Sequence, residues 1–297
     1  MAVTEPQIKK SPRLPEWLKR DILINDKSRR VHSLIQEFNL NTVCQSARCP
    51  NRNECFSQGT ATFMILGNTC TRGCTFCSVP KGKPVEVIHE LPLQNEPKNV
   101  AQAAKIMGLS HVVVTSVNRD DLEDQGSNHF VKTIQELKNE IPGILIEVLT
   151  PDFRGDKECI KRVVDAKPNI YNHNLETVPR LYKEVRPGAI YERSLELIKF
   201  VKETNSEIIT KSGIMLGLGE EIDEVIEVMK DLYDYNCDYL TLGQYMQPSR
   251  DSLLVFRYVL PEEFEKLKTI GIKIGFKKVF SGPLVRSSYH AKEFHED

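Results

Sequence analysis

Three cysteines lie in one short stretch of the chain, CTRGCTFC, which runs from Cys70 to Cys77 with Cys74 between them. A structural zinc site closes with four nitrogen or sulfur ligands, so this C-x3-C-x2-C loop does not form one by itself. Cysteine thiolates also bind four-iron clusters, and three thiolates leave one iron without a protein ligand. An open position of this kind is typical of a catalytic metal rather than a structural one.

A second group of three cysteines precedes the first in VCQSARCPNRNEC, where Cys44, Cys49 and Cys55 have the spacing C-x4-C-x5-C. This group is also one ligand short, and a small zinc site completed from elsewhere in the chain is the alternative to a cluster. Six of the eight cysteines belong to these two groups, and such clustering favours metal binding over dispersed disulfides. Cys159 and Cys237 stand alone, and we predict that they are small buried residues.

From about residue 60 onward, apolar segments rich in β-branched residues alternate with amphipathic segments. We predict strands, in chain order, in TATFMILGN, HVVVTSV, GILIEVLT, NIYNHNL, EIITKSGIMLG and DYLTLGQY. Apolar strands separated by helices indicate a parallel sheet that is buried on both faces. About six βα units fit, too few for a closed eight-fold barrel, so we predict an α/β fold with a partial (β/α)6 TIM-type barrel. A doubly wound sheet is the alternative.

Polar residues follow these strands at their carboxyl ends, where parallel α/β folds place their functional sites. They are Asn118, Arg119, Asp120, Asn172, His173, Asn174, Glu176, Lys211 and Gln244. The cysteine loop at Cys70 follows the first strand and opens onto the same end. We therefore expect a polar site at one mouth of the barrel, although each residue alone is also compatible with a helix cap or an ordinary loop role.

The composition excludes several classes of partner. Lysine and arginine number 40 and aspartate and glutamate 41, so no strong field favours nucleic acid as a partner. No apolar run approaches the ~20 residues that span a bilayer, and the N-terminus lacks the apolar core of a signal peptide. We therefore expect a cytoplasmic protein with no membrane partner.

The C-x3-C-x2-C loop after the first barrel strand resembles that of the radical S-adenosylmethionine (SAM) enzymes. Within that superfamily the chain is similar to the lipoyl synthases in VNRDDLEDQGSNHF, YNHNLETVPRLYKEVRPGA, KSGIMLGLGE and GPLVRSSYHA, and in the second cysteine group. The similarity covers almost the whole chain. One segment departs from the family, because DSLLVFRYVLPEEF follows QYMQPSR where the family usually has a histidine, a leucine and a proline. This difference concerns the carrier-facing surface or the substrate channel, and no expected ligand.

Three parts of the chain are expected from the motifs and the resemblance. Residues 1–59 would form an N-terminal arm with the second cysteine group, and residues 60–260 the radical SAM partial barrel. Residues 261–297 would form a C-terminal extension that carries the RSSY motif.

The resemblance implies two 4Fe–4S clusters, one for each cysteine group. Cys70, Cys74 and Cys77 would bind the cluster whose vacant iron holds the amino and carboxylate groups of SAM, which is the co-substrate. An electron from that cluster would cleave SAM, and the resulting 5'-deoxyadenosyl radical would abstract a hydrogen atom. These three cysteines are therefore expected to be catalytic.

The second, auxiliary cluster is implied to have a serine ligand from the RSSY motif. Cys44, Cys49 and Cys55 would supply its thiolates, and we assign the fourth position to Ser288 in preference to Ser287. Because an alkoxide is a harder ligand than a thiolate, this bond is a plausible one to break when the cluster opens. Ser288 is therefore also expected to be catalytic.

Six further residues are candidates for cofactor binding: Asn118, Asp120, Asn174, Glu176, Lys211 and Gly217. We expect the first two on the methionine or substrate side and the next two near the ribose hydroxyls of SAM. Gly217, in GIMLGLGE, would let the backbone approach the adenosyl group, with Lys211 at the mouth. Structuring of the loops is an equally good role for all six.

The implied reaction inserts sulfur at C6 and C8 of an octanoyl chain that is amide-linked to a lysine of a lipoyl carrier domain. Unactivated C–H bonds have no acidic proton for a base to remove, so a radical is needed. Two SAM molecules would be consumed, and the auxiliary cluster would donate the sulfur.

The implied partners follow from that reaction. The carriers would be acyltransferase subunits of 2-oxoacid dehydrogenases and the H protein of glycine cleavage, with flavodoxin or ferredoxin as reductant. Iron–sulfur carrier proteins would rebuild the consumed cluster. Two alternatives stay open: another radical SAM sulfur-inserting enzyme, similar to biotin synthase, and a non-catalytic iron–sulfur or zinc carrier.

Overall fold

The computed structural model describes residues 10–20, 25–58, 60–83 and 91–288, without the side chains of residues 91 and 92. Its centre is one eight-stranded sheet with the linear order β1 to β8. The strands are β1 Asn41–Thr42, β2 Thr62–Ile65, β3 His111–Ser116, β4 Leu145–Leu149, β5 Ile170–Asn172, β6 Ile209–Leu216, β7 Tyr239–Gln244 and β8 Lys278–Gly282.

The strands follow one another around the sheet in chain order. β1 pairs with β2 antiparallel, and every later neighbouring pair from β2 to β8 is parallel. A doubly wound sheet reverses its strand order at a switch point, and this sheet does not. Because β8 does not pair with β1 or β2 among the described residues, the fold is an open, partial TIM-type barrel, and the predicted fold class is confirmed.

The helices among the described residues are α1 Asp26–Glu37, α2 Val43–Ser46, α3 Arg52–Ser57, α4 Leu91–Ile106, α5 Ser127–Glu140, α6 Lys157–Asp165, α7 Tyr182–Val185, α8 Tyr191–Thr204, α9 Ile222–Asp234 and α10 Pro261–Ile274. α1 and α3 pack on each other in the arm, and the long helices from α4 onward cover the outside of the sheet. Their apolar faces pack on outward-pointing strand residues such as Val112, Val114 and Ile146, which are fully buried. This layer excludes water from one face of every long strand and provides most of the apolar core.

The inside of the barrel contains charged as well as apolar side chains. Val113 and Ile170 form a small separate apolar cluster with Tyr239, and Glu147 is in register with the first two on neighbouring strands. Residues in register on parallel strands point to the same face, so Glu147 points into the barrel. Lys211 is in register with Tyr239 and points inward as well. A charged pair therefore lies inside the barrel.

The sheet extends beyond the six predicted strands. β1 has only two residues, and β8 lies within the segment 261–297 that was expected to form an extension. β8 pairs with β7 over five residues, so the barrel continues past residue 260 and the chain leaves it at Gly282. No helix among the described residues is long and apolar enough to cross a membrane.

Candidate active site

The first cysteine loop begins where β2 ends. The Cys70 sulfur accepts hydrogen bonds from the backbone N–H of Asn118 at 3.4 Å and of Arg72 at 3.5 Å. The Asn118 side chain lies nearby, with its Nδ2 donating to the same sulfur at 3.7 Å. Donors of this kind stabilise a thiolate. The predicted cofactor contact Asn118 is therefore a neighbour of the first expected ligand.

The three sulfurs of this loop are close enough to influence one another. Burial raises the pKa of the Cys77 thiol to about 11, and the neighbouring Cys74 and Cys70 sulfurs add to that rise. Burial also raises the pKa of Cys74, with a further contribution from Cys70. Mutual repulsion between buried sulfurs is relieved when a cationic cluster binds and the thiols lose their protons. The loop thus has the donor set of a metal site.

An ion-pair network fixes the cysteine loop to the barrel. Arg72 lies inside the loop, and its Nε and Nη2 donate to the two carboxylate oxygens of Asp120 at 2.7 and 2.8 Å. Its Nη2 also lies 2.6 Å from the fully buried Asp152, whose other oxygen is 3.0 Å from Arg193 Nε. Burial acts to raise the pKa of Asp152, but Arg72 outweighs it and the pKa lies at about 2. Asp120, a predicted cofactor contact, is here a partner of the loop.

The second cysteine group lies on the short helices α2 and α3. The Cys49 backbone N–H donates to the Cys44 carbonyl at 3.1 Å. Burial raises the pKa of Cys44 to about 11 and of Cys55 to about 12; a smaller rise comes from Cys49 for the first thiol, and from Cys44 and Cys49 for the second. The three thiols therefore form one electrostatically coupled group.

The C-terminal serines reach this second group from the far end of the chain. The Thr62 hydroxyl donates to the Ser288 hydroxyl oxygen at 2.8 Å, and Thr62 lies close enough to Cys44 to act against the rise in the pKa of that thiol. Arg286, two residues before Ser288, lies within electrostatic range of Cys49. A residue 226 positions away in sequence is thus brought beside the arm cysteines. Residues 289–297, including the tyrosine of RSSY, lie outside the described residues.

Among the described residues, no three histidine, cysteine or carboxylate side chains converge on one ion position. Thiolates of a four-iron cluster each bind a different iron, so they are spread more widely than ligands that share one zinc. All eight cysteines are free of disulfides, and the two isolated ones, Cys159 and Cys237, are buried as predicted.

Buried amide groups lie at the carboxyl ends of β3 and β5. The amide oxygens of Asn118, Asn172 and Asn174 are buried and have no hydrogen-bond partner among the described residues. Buried polar atoms are normally paired, so this surface has the character of a site for a polar ligand. Asn174 donates to Glu176 at 3.1 Å, and burial raises the pKa of the Glu176 carboxyl.

Two predicted cofactor contacts, Gly217 and Lys211, are surrounded by other protein atoms. Gly217 has a φ of +98°, and a Cβ there would lie 2.2 Å from Gln244 Nε2 and 2.5 Å from the Arg257 carbonyl. The atoms that approach Gly217 closely are therefore protein atoms. Lys211 is fully buried inside the barrel, where its Nζ lies 3.0 Å from Glu147.

Several site residues were not found by sequence reasoning. Arg72, Asp152 and Glu147 act through partners on other strands, and nothing in a single sequence pairs them. Thr62 reads only as the first residue of an apolar strand. A signal was available for Arg72 alone, because a cation between two cysteines of a metal loop needs a carboxylate partner when it is buried.

Comparisons with known proteins agree with this geometry. Residues 64–232 match the model of the radical SAM superfamily, and residues 3–49 match the N-terminal domain of lipoyl synthase of the radical SAM family. The chain is 59% identical to the lipoyl synthase of Caldanaerobacter subterraneus subsp. tengcongensis, covering 94% of this chain and 96% of the relative. It is 50% identical to that of Rhodopirellula baltica, covering 99% and 94%.

Solved structures support the fold alone. Methylornithine synthase has a TM-score of 0.54 at 17% identity, covering 73% of this chain and 69% of that one. The FeFe-hydrogenase maturase HydG from Carboxydothermus hydrogenoformans has a TM-score of 0.57 at 16% identity, covering 78% and 64%. Taken with the high identity to curated relatives over nearly the full chain, these matches show that the chain belongs to the lipoyl synthase family of the radical SAM superfamily.

Proposed function

We propose that this chain is a lipoyl synthase that inserts two sulfur atoms, at C6 and C8, into an octanoyl chain carried on a protein lysine. The observation that supports this most is the position of Thr62, which donates to the Ser288 hydroxyl and lies beside Cys44. It brings the tail next to the arm cysteines and so supports Ser288 as the fourth ligand of the second group. The first group has three cysteines, and its loop opens onto the polar strand ends.

The cofactors are two 4Fe–4S clusters and SAM. When bound, they supply the radical that removes hydrogen from unactivated carbon and the sulfide that replaces it. Cys70, Cys74 and Cys77 hold the cluster at the barrel mouth. The arm cysteines, with Ser288, hold the auxiliary cluster.

The chain itself contributes position and exclusion of water. The Arg72 network holds the first cysteine loop rigid against two strand ends, which fixes the distance from the reacting centre to the substrate carbon. Asn118 donates to Cys70, and the unpaired amide oxygens of Asn118 and Asn174 are placed to bind the amino or hydroxyl groups of SAM. Glu176 is buried beside Asn174 and suits the ribose hydroxyls.

The macromolecular partners follow from the substrate. They are octanoylated carrier domains, namely acyltransferase subunits of 2-oxoacid dehydrogenases and the glycine cleavage H protein. A flavodoxin or ferredoxin supplies electrons, and iron–sulfur carrier proteins restore the auxiliary cluster. These reactions take place in the cytoplasm.

Incubation of the anaerobically reconstituted chain with an octanoyl-lysine peptide, SAM and a reductant tests the proposal. Mass spectrometry is expected to show a peptide that has gained two sulfur atoms, from protein that holds about eight irons per chain. Cys49→Ala is expected to retain SAM cleavage and lose sulfur insertion. Cys159→Ala is the matched control, since Cys159 is buried in the outer core, and it is expected to retain both.

Two results would contradict the proposal. Protein that binds one or two zinc ions and does not cleave SAM is a metal carrier. Protein in which Cys49→Ala inserts sulfur as well as wild type has no auxiliary cluster on the arm.

A further inference from the structure

We infer that Lys211, held by Glu147, is a positioning residue that fastens the C-terminal tail inside the barrel and so keeps Ser288 beside the arm cysteines. We call residues 284–288 the tail segment. This inference rests on the proposed role of Ser288 as a ligand of the auxiliary cluster, and it assigns to Lys211 a function other than contact with SAM.

Lys211 lies on β6 and is fully buried. Its ammonium group donates to both oxygens of Glu147, at 3.0 and 3.1 Å, and to the Ser287 backbone carbonyl at 2.6 Å. Glu147 is fully buried too, and it also accepts a hydrogen bond from Asn172 Nδ2 at 2.9 Å. A buried ammonium needs oxygen partners in every direction. The tail carbonyl supplies one of these oxygens, so the ion pair and the tail support each other.

Other contacts hold the same segment independently of the charge. Asn174 Nδ2 donates to the Ser287 hydroxyl at 2.7 Å, and Asn51 Nδ2 donates to the Leu284 carbonyl at 2.7 Å. These donors lie on the barrel and on the arm. The tail segment is therefore hydrogen-bonded both by the barrel and by the arm.

A glycine on β7 provides the space for the tail. A Cβ on Gly243 would lie 2.1 Å from the Val285 carbonyl oxygen and 3.4 Å from Arg286 Nη1. Any other residue at this position would collide with the tail backbone. The packed position of the tail is thus built into the strand itself.

These contacts decide between the two adjacent serines. Ser287 uses its hydroxyl for Asn174 and its carbonyl for Lys211, so it is occupied as an anchor. Ser288 is the serine whose hydroxyl lies beside Thr62. Because this anchor uses Asn174 and Lys211, it would hold the Ser288 hydroxyl at high effective concentration beside the arm cysteines whether or not a cluster is bound there.

The double variant Lys211→Met with Glu147→Gln tests this role, since it removes both charges and leaves no unpaired ion. Hydrogen–deuterium exchange of the reconstituted full chain is followed at the amides of the tail segment. We expect exchange there to rise by about tenfold or more, the change that accompanies loss of a hydrogen bond to a charged group. The cluster at Cys70 and SAM cleavage are expected to persist, while sulfur insertion falls.

Lys202→Met is the matched control. Lys202 Nζ also bridges a carboxylate and a carbonyl, with Asp238 at 2.6 Å and Ile208 O at 2.9 Å, but it does not touch the tail. Its removal is expected to leave tail exchange and the ratio of sulfur insertion to SAM cleavage unchanged.

Gly243→Ala displaces the tail by steric contact and leaves the ion pair intact. We expect it to reproduce the faster tail exchange and the selective loss of sulfur insertion. Unchanged tail exchange in a folded double variant would overturn the inference, as would equal loss of SAM cleavage and sulfur insertion in Gly243→Ala. Failure of the proposed function has a different signature, because wild-type protein would then insert no sulfur although its tail exchange stayed slow.

Discussion

Replacement of Asp152 by asparagine probes the network that holds the first cysteine loop. Asp152 is fully buried and binds Arg72 at 2.6 Å and Arg193 at 3.0 Å. Asparagine keeps the size of the side chain but removes the charge, and its amide N–H groups would face donors of the two arginines. Among the described residues, Asp120 would be the carboxylate partner that Arg72 keeps.

Two arguments give the expected loss in the free energy of unfolding for Asp152→Asn. A carboxyl whose pKa falls from its ordinary 3.8 to about 2 contributes about 2.5 kcal/mol to the free energy of unfolding. This contribution is complete above pH 3.8 and is lost as the pH falls through about 2. Breaking a buried ion pair by removing one partner costs about 3 to 5 kcal/mol. We expect about 3 kcal/mol, because Asp120 still binds Arg72.

Guanidinium unfolding of the cluster-free chain near neutral pH measures this loss. Asp165→Asn is the control. Asp165 is exposed and, among the described residues, forms its ion pair with Lys161 on the same helix, so its loss is expected to cost less than about 0.5 kcal/mol. SAM cleavage by the reconstituted Asp152→Asn protein should fall as well. An Asp152→Asn chain as stable as the Asp165→Asn control would refute the role of the network.

Three further predictions concern single residues. Gly217→Ala is expected to destabilise the chain by more than about 2 kcal/mol in thermal unfolding, since its methyl group would collide with Gln244 and the backbone is left-handed there. Gly73→Ala is the control and should change stability little, because a Cβ on Gly73 would have no neighbouring atom within 4 Å. Burial and, to a smaller extent, the charge of Arg186 lower the pKa of His173 to about 4. The free energy of unfolding should therefore fall by about 2 kcal/mol from about pH 7 to about pH 5, because the histidine binds a proton in the unfolded chain and not in the folded one. His173→Gln should abolish this pH dependence. Asn118→Ala removes a donor to the Cys70 sulfur and should lower the reduction potential of that cluster in a spectroelectrochemical titration. An unchanged or higher potential would contradict the contact.

The strands that could be predicted from the sequence are those buried on both faces. Segments such as HVVVTSV, which contains β3, are short and rich in β-branched apolar residues, as is typical of a buried parallel strand. β8 was not predicted because four of its five residues are only partly buried and its sequence, KVFSG, has a weak hydrophobic pattern. β1 has two residues, which is shorter than any periodic signal.

The site was predictable where spacing along the chain carries the chemistry. Cysteines separated by two to five intervening residues stay close together in most folds, so the groups at Cys70 and at Cys44 could be recognised. Partners that meet through the barrel could not. The pairing of Arg72 with Asp120, and of Lys211 with Glu147, depends on which strands are neighbours and which face each residue occupies. Both Asp120 and Lys211 read as polar residues near strand ends, and their charged partners became visible only in three dimensions.

The origin of the inserted sulfur is the most direct test of the account. The chain is reconstituted with sulfide labelled with a heavy sulfur isotope, unbound sulfide is removed, and one turnover on an octanoyl-lysine peptide is analysed by mass spectrometry. We predict that both inserted sulfur atoms carry the label in the wild-type chain, and that Cys49→Ala yields no sulfur-containing peptide while still cleaving SAM. Unlabelled sulfur in the product, or labelled product from Cys49→Ala, would contradict a sulfide reservoir held by the arm and the tail.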